Sequence, residues 1–364
     1  MIRKIFFTIL VLGLVALGAA TAVGWHLWQQ FHQPFRAWVG AEQIVNVAPG
    51  TSAPRILADL ERAGVLRDAR LARYFLIYRL GDPPLLAGEY RFRQEMAAPD
   101  VLAKLIRGEV TTYPVTLIEG LDLHETAEAL TRQGFGDVNV FLREMRDPSR
   151  ISDLDPLAED LEGYLYPETY HFSRGTPESD IVDLMVGTFR QGWSDEVAPL
   201  LERRAELEDL GLDEVPEEGL VRAVVSLASI VEKETQKDDE RNLVASVYTN
   251  RLRIGMPLQA DPTVIAALKR EGRWDGNIRR PDLQMDHPYN TYVRGGLPPG
   301  PICSPTLDSL LAVLQPADTK YLYFVSRNDG THAFAASLAE HNRNVYRWQK
   351  LYWREKWAKE RNGK

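Results

Sequence analysis

The chain has 364 residues, a formal net charge of -8 and 45% hydrophobic residues, the profile of a globular protein long enough for two or three domains. Asp and Glu outnumber Lys and Arg by 51 to 43, which argues against nucleic acid as the main partner. The single cysteine, Cys303, can make neither an internal disulfide nor a zinc cluster, so cysteine usage leaves the redox compartment open.

Residues 1–4, ending in Arg3 and Lys4, precede an uncharged run from Ile5 to Trp25 that is rich in Leu, Val, Ala and Gly. About 20 such residues span a bilayer. Basic residues before the run and no such cluster just after it put residues 1–4 in the cytoplasm and the bulk of the chain outside. The expected anchor covers residues 5–28, with Trp25 and Trp28 at the outer interface, and a linker covers 29–42. A cleaved signal peptide ending near Ala20-Thr21-Ala22 is the competing reading. The apolar run exceeds the roughly 7 to 15 residues of an ordinary signal core, which favours the anchor.

After the linker, Ile44 to Val47 reads as a strand and Pro49-Gly50-Thr51-Ser52 as a turn running into a helix cap. Leu57, Leu60 and Ala63 keep helical spacing up to Gly64, a C-terminal stop. A second helix spans Ala69 to Leu80, Pro83-Pro84 breaks the chain, and Gly88 to Phe92 reads as a strand. Strand, two helices and strand make a small α+β module. A short helix from Pro99 to Arg107 ends at Gly108, Val115 to Ile118 reads as a strand, and Leu123 to Arg132 as a helix. Beyond Asp147 the chain is loop-rich up to the stretch from Glu162 to Tyr170, whose alternation resembles a strand ending in a turn. Its tyrosines and carboxylates suit stacking on a sugar and covering a core edge equally well. Pro177 to Ala205 is mostly helical, and the acidic segment Glu206 to Glu218 reads as a solvated connection.

Leu220, Val224, Leu227, Ile230 and Val231 recur at helical spacing and define one buried face of a helix starting near Glu218. At about 100° per residue, Glu234 falls beside that face while Glu232 lies most of a half-turn away. A carboxyl held against apolar neighbours stays protonated near neutral pH, as a general acid must. The plain alternative is that Glu232-Lys233-Glu234 is a solvated helix end. A following helix runs from Asp239 to Ile254, with Tyr248 among its inward residues, and stops at Gly255. Asp261-Pro262 is a helix-start signal, with Asp261 as the cap, whereas Gln259 and Thr263 have no such local explanation. His287 to Tyr292 leads into a rigid Gly- and Pro-rich loop, Gly295 to Pro301, whose backbone and aromatics suit either a groove or plain turns. Lys320 to Val325 reads as a buried strand and Gly330 to Phe334 as its hairpin return; His332 on that return suits a site or a purely structural role. Arg347 to Lys364 reads as a basic helix with Trp353 and Trp357 on one face, packed on the domain before it.

Several of these segments together resemble the endolytic murein transglycosylases, the YceG-like family. The resemblance rests on Glu162-Gly163-Tyr164 with Pro167 and Thr169, on Ala228 to Thr235, on Val244 to Leu252, and on Leu258 to Ile265. It continues through Tyr289 to Tyr292, Gly296 to Ile302 and Tyr321 to Val325, in an order that covers nearly all of the chain beyond the anchor. It implies an α+β fold with an N-terminal transmembrane helix, a small LysM-like α+β module over 43–109, a larger mixed α+β catalytic domain over 110–350 and a basic C-terminal helix over 351–364. It also implies a single-pass protein of the bacterial inner membrane, with its bulk in the periplasm, acting on peptidoglycan glycan strands beside penicillin-binding synthases, with no metal or other cofactor. The implied reaction cuts MurNAc-GlcNAc bonds within nascent strands, leaves 1,6-anhydro-MurNAc ends and terminates elongation. The family's catalytic glutamate falls in Glu232-Lys233-Glu234; helical phase and the similarity of Glu234-Thr235 to the Glu-Ser pair of other lytic transglycosylases assign it to Glu234, with Glu232 as the alternative. Gln259, Asp261, Thr263, Tyr289, Asn290, Thr291, Tyr292, Glu162 and Tyr166 are the expected substrate-binding residues. A hydrolytic muramidase and a non-catalytic peptidoglycan-binding scaffold stay open as alternatives.

Overall fold

The computed structural model describes residues 2–201, 211–212, 215–235 and 237–354. It is a mixed α+β protein, mostly helical, with three two-stranded sheets among the described residues. The first helix, α1 (Ile2–His32), contains a stretch, Phe7–His32, of mean hydropathy 2.2 whose apolar window is fully exposed, and it is the one described helix long and apolar enough to cross a membrane. The chain divides into two compact units, one formed by residues 1–113 with 171–175 and the other by 114–170 with 176–364.

In the first unit, β1 (Gln43–Val47) pairs antiparallel with β2 (Gly88–Phe92), Val45 opposite Tyr90. Alternation turns Val45, Val47, Tyr90 and Phe92 to one face. Against it pack α2 (Ala53–Arg62), α3 (Ala69–Tyr78) and α4 (Ala98–Ile106) through Leu57, Leu60, Leu76, Leu102 and Leu105. The order strand, helix, helix, strand, helix is the one its sequence pattern predicts. Phe31, near the end of α1, is buried here, its ring 4.7 Å from that of Phe75.

A second sheet pairs β3 (Tyr113–Thr116) with β4 (Thr169–Phe172). The helices of the second unit are α5 (Leu123–Arg132), α6 (Val138–Met145), α7 (Glu178–Gly192), α8 (Ala198–Leu201), α9 (Glu217–Glu234), α10 (Asp238–Arg253), α11 (Asp261–Arg270), α12 (Leu307–Leu314) and α13 (Leu338–Val345). A hairpin of β5 (Tyr323–Ser326) and β6 (His332–Ala335) pairs Phe324 with Phe334.

Helix α9 is the centre of this unit and packs on α10, α11 and α12. Every residue from Ala223 to Glu232 is buried, so the single buried face predicted from periodicity is too narrow. Ser229, small and on the opposite side, lets the segment at Ile302 approach closely. Ser229 Oγ accepts from Ile302 N at 3.0 Å and donates to Ser226 O at 2.7 Å, which satisfies the hydroxyl inside the core.

Four further elements differ from expectation. Helix α6 has no prediction; Asp137 caps it by accepting from Asn139 N at 2.8 Å. Helix α12 has none either; Thr306 caps it by accepting from Ser309 N at 3.3 Å. The strand expected within 162–170 begins only at Thr169, the preceding Leu161 to Leu165 being a buried loop. Gly163 there has φ +87°, and a Cβ would lie 2.6 Å from Pro301 Cβ and 2.8 Å from Val225 Cγ1, so only glycine fits. Strand β5, expected to be buried, is half-buried throughout. Of the basic helix expected over 351–364, residues 355–364 with Trp357 lie outside the described residues.

Candidate active site

The last turn of α9 sends three consecutive side chains to three different neighbours. Glu232 Oε2 accepts from Thr306 N at 2.8 Å, Thr306 Oγ1 at 2.7 Å and Ser309 Oγ at 2.7 Å, which ties it to the N-terminus of α12. Lys233 Nζ donates to Gly120 O at 2.9 Å. Glu234 Oε1 accepts from Tyr248 Oη of α10 at 2.8 Å, its one hydrogen bond to a described residue. Glu234, on the side that helical phase marks as buried, packs on Tyr248 and keeps partial access to solvent, whereas Glu232, away from that side, is buried too, 5% exposed. The reason is that α9 is enclosed on all sides, so facing away from one apolar stripe means facing α12 rather than water.

Burial pushes Glu234 up from the ordinary 4.5 to about 7; the Tyr248 hydroxyl opposes that rise, the Asp261 carboxylate adds to it and Arg251 opposes it. Burial also raises Tyr248 far above the usual phenol range, so it remains a donor. Arg251 is buried and committed to backbone carbonyls, donating to Leu322 O at 2.7 Å and Leu258 O at 2.5 Å. It therefore anchors both the segment before α11 and the segment before β5.

That first segment carries a second correction. Ala260, not Asp261, is the N-cap of α11, and no side-chain cap bond is made. Asp261 is the first helical residue, and its Oδ1 accepts from Tyr292 Oη at 2.6 Å. Gln259 is exposed with φ +50°, an unusual conformation for a side-chain-bearing residue. Beneath it, Thr291 O accepts from Gln259 N at 3.2 Å, Thr291 Oγ1 accepts from Ala260 N at 3.0 Å, and Thr291 Oγ1 lies 2.8 Å from Thr263 Oγ1. Asn290 Nδ2 donates to the carbonyls of Asp282, Leu283 and Met285, and its Oδ1 accepts from Tyr292 N at 3.0 Å.

The sequence-predicted residues thus fall into separate groups. Glu234, Asp261 and Tyr292 interact in one cluster, and Gln259 is on the strained segment leading to it. Thr263, Asn290 and Thr291 are 0%, 0% and 1% exposed and form its buried frame, holding the loop rather than facing solvent. Glu162 and Tyr289 lie apart, near Arg270, whose guanidinium sits 4.2 Å above the Tyr289 ring. Tyr166 is half-buried, and its carbonyl accepts from Tyr170 Oη at 2.7 Å, with no link to Glu234. A cavity of about 600 Å³ beside α5, α6 and α11 does not include the Glu234 cluster in its lining.

Two residues with defined parts in this site carry no prediction from sequence. Tyr248 reads there simply as an inward residue of α10. A buried tyrosine hydroxyl needs a polar partner, which is the one clue it offers. Arg251 falls within a quoted motif but gains its role from carbonyls outside that motif, 7 and 71 residues along the chain.

Residues 45–347 match the YceG-like family. A Bacillus subtilis protein named endolytic murein transglycosylase is 29% identical over 314 residues, covering 82% of each chain. A Streptococcus pneumoniae protein of the same name is 28% identical over 334 residues, covering 83% of this chain and 57% of that one. A crystal structure of a yceG-like protein from Listeria monocytogenes shares 30% identity at a TM-score of 0.51, over 83% of this chain and 98% of that one.

Proposed function

The chain belongs to the YceG-like family, and from that premise we propose that it is an endolytic lytic transglycosylase of peptidoglycan with Glu234 as the catalytic residue. The observation that carries this reading is a single half-protonated carboxyl, pushed up to about 7, held by Tyr248 at 2.8 Å and still open to solvent. Such a group can donate a proton and take one back at the same pH.

Protonated Glu234 gives its proton to the glycosidic oxygen between N-acetylmuramic acid and N-acetylglucosamine as the bond to the anomeric carbon breaks. The resulting carboxylate accepts the proton of the muramyl six-position hydroxyl, whose oxygen attacks the anomeric carbon and closes the 1,6-anhydro ring. The sugar supplies its own nucleophile, so one carboxylate serves both steps and the usual pair is not required. Tyr248 orients the carboxyl and favours its ionised form. Asp261, carried on the first turn of α11 and oriented by Tyr292, favours its protonated form. Asp261, Gln259 and Tyr292 offer hydrogen-bonding and stacking groups to the sugars. Glu232, with three donors on one oxygen, holds α12 in place.

A hydrolytic muramidase is the second reading, and one observation favours it: the exposed Asp261 carboxylate is close enough to Glu234 to raise its pKa. A hydrolase of that kind would use Asp261 to activate water. In either case α1 holds the protein in the bacterial inner membrane with the two units in the periplasm, where they act on nascent strands beside the synthases.

Mass spectrometry of uncrosslinked glycan strands treated with the purified full-length chain tests the reading. Anhydro-muramyl ends from the wild type and not from Glu234→Gln support it. Reducing ends indicate hydrolysis, and intact strands indicate a binding or scaffolding role.

A further inference from the structure

The cavity of about 600 Å³ beside α5, α6 and α11 has the volume of a ligand site, and its charges are only partly matched. Lys269 is committed, donating to Asp122 Oδ2 and Glu125 Oε1 at 2.6 Å each. Arg146 and Arg270, both exposed, make no hydrogen bond or ion pair with any described residue; Arg270 lies over the Tyr289 ring and attracts Glu162 at longer range.

On the same wall stands Glu162, 7% exposed. Its Oε2 accepts from Leu123 N at 3.3 Å, and its Oε1 is buried with no partner. Burial and the nearby Asp122 and Asp160 carboxylates push this carboxyl well above the ordinary 4.5, against the weaker pull of Leu123 N and Arg270, and its second oxygen is left inside the protein without a partner, which a ligand N–H would satisfy. Trp274, half-buried, adds a flat apolar face.

We propose that this cavity binds the peptide borne by the muramyl residues of the substrate, its free carboxylate on Arg146 and Arg270 and an amine or amide N–H on Glu162 Oε1. The proposal rests on the peptidoglycan reading above. Five lining carboxylates, Asp122, Glu125, Glu128, Asp160 and Glu162, disfavour a polyanion such as a pyrophosphate, whereas a zwitterionic peptide matches both signs. Placement supports it as well. Helix α11 carries Asp261 of the Glu234 cluster at its first position and Arg270 at its last, roughly 13 Å apart at 1.5 Å per residue. One rigid helix therefore sets the distance between the bond to be cut and the peptide that marks it.

The test is calorimetric titration of the full-length chain in detergent with a synthetic muramyl tripeptide, and with the same compound acetylated at its amine and amidated at its carboxyls. The unmodified tripeptide is expected to bind, and the neutralised one to bind roughly tenfold or more weakly. Arg146→Ala and Arg270→Ala, both surface changes, are each expected to weaken the unmodified tripeptide to a similar degree. Glu162→Gln is expected to weaken it while leaving the neutralised compound unaffected. No binding, equal binding of the two compounds, unchanged affinity in both arginine variants, or tighter binding of inorganic pyrophosphate than of tripeptide would each overturn the proposal. Strand cleavage by the same preparations separates the two readings. Cleavage without tripeptide binding overturns this site alone, and charge-dependent tripeptide binding without cleavage upholds it while removing the reaction assigned to Glu234.

Discussion

Replacing Glu234 by Gln is expected to abolish turnover and, at alkaline pH, to stabilise the fold. In the folded chain Glu234 ionises at about 7 against an ordinary 4.5, a displacement of roughly 3 kcal/mol at about 1.36 kcal/mol per pH unit. Below pH 4.5 the carboxyl is protonated in both the folded and unfolded chain and no difference arises. Between 4.5 and about 7 the folded state binds the extra proton, so wild-type stability falls as pH rises. Above about 7 the wild type carries the full burden of a buried charge, whereas glutamine never does and its amide oxygen still accepts from Tyr248. Thermal unfolding of both full-length proteins at pH 4 and pH 8.5 measures this. At roughly 2–4 °C per kcal/mol for a domain of this size, the variant should melt on the order of 5–10 °C higher at pH 8.5 and within a degree or two of wild type at pH 4. Equal melting differences at the two pH values, or a variant less stable at pH 8.5, would refute the burial argument.

The same electrostatics govern the rate. Strand cleavage should decline as pH rises through about 7, where Glu234 loses its proton; Tyr248→Phe, which removes the donor favouring the carboxylate, should move that limb to higher pH in a kcat/KM profile. Asp261→Asn removes the negative charge that helps hold the proton, so its limb should move to lower pH while anhydro ends are still formed. Loss of all turnover in Asp261→Asn would instead support the muramidase reading. Glu232→Ala strips three hydrogen bonds from the start of α12 and should destabilise the protein by about 2–4 kcal/mol, measured as a lower melting temperature. Gly163→Ala places a methyl 2.6 Å from Pro301 Cβ at φ +87° and should destabilise by about 1–3 kcal/mol in the same assay.

The elements that local pattern predicts are those whose causes are local. The long uncharged run of α1, the alternation of β1 and β2, and the Asp122 capping box of α5, with Glu125 N donating to Asp122 Oδ1 at 2.9 Å, all depend on residues within a few positions. The motifs also carry the family resemblance, and with it the choice between the two carboxylates of Glu232-Lys233-Glu234.

Tertiary structure decided what those carboxylates touch. Periodicity supplies one direction of burial, and Glu234 on that side is indeed raised to about 7 by burial, but α9 is packed by three other helices, so Glu232 on the other side is buried as well. Glu232 is sunk among Thr306 and Ser309, and Glu234 is partly open and held by Tyr248. Asp261 reads from sequence as a cap because Asp-Pro starts helices, yet a hydroxyl 31 residues away claims its carboxylate. Chain composition and short-range spacing determined the long apolar N-terminal helix and the small α+β module that follows it, and the family resemblance supplied the candidate acid. The protonation of that acid and the identity of its neighbours came from contacts between residues far apart in sequence, because desolvation and hydrogen bonding depend on which atoms meet in space and not on their order along the chain.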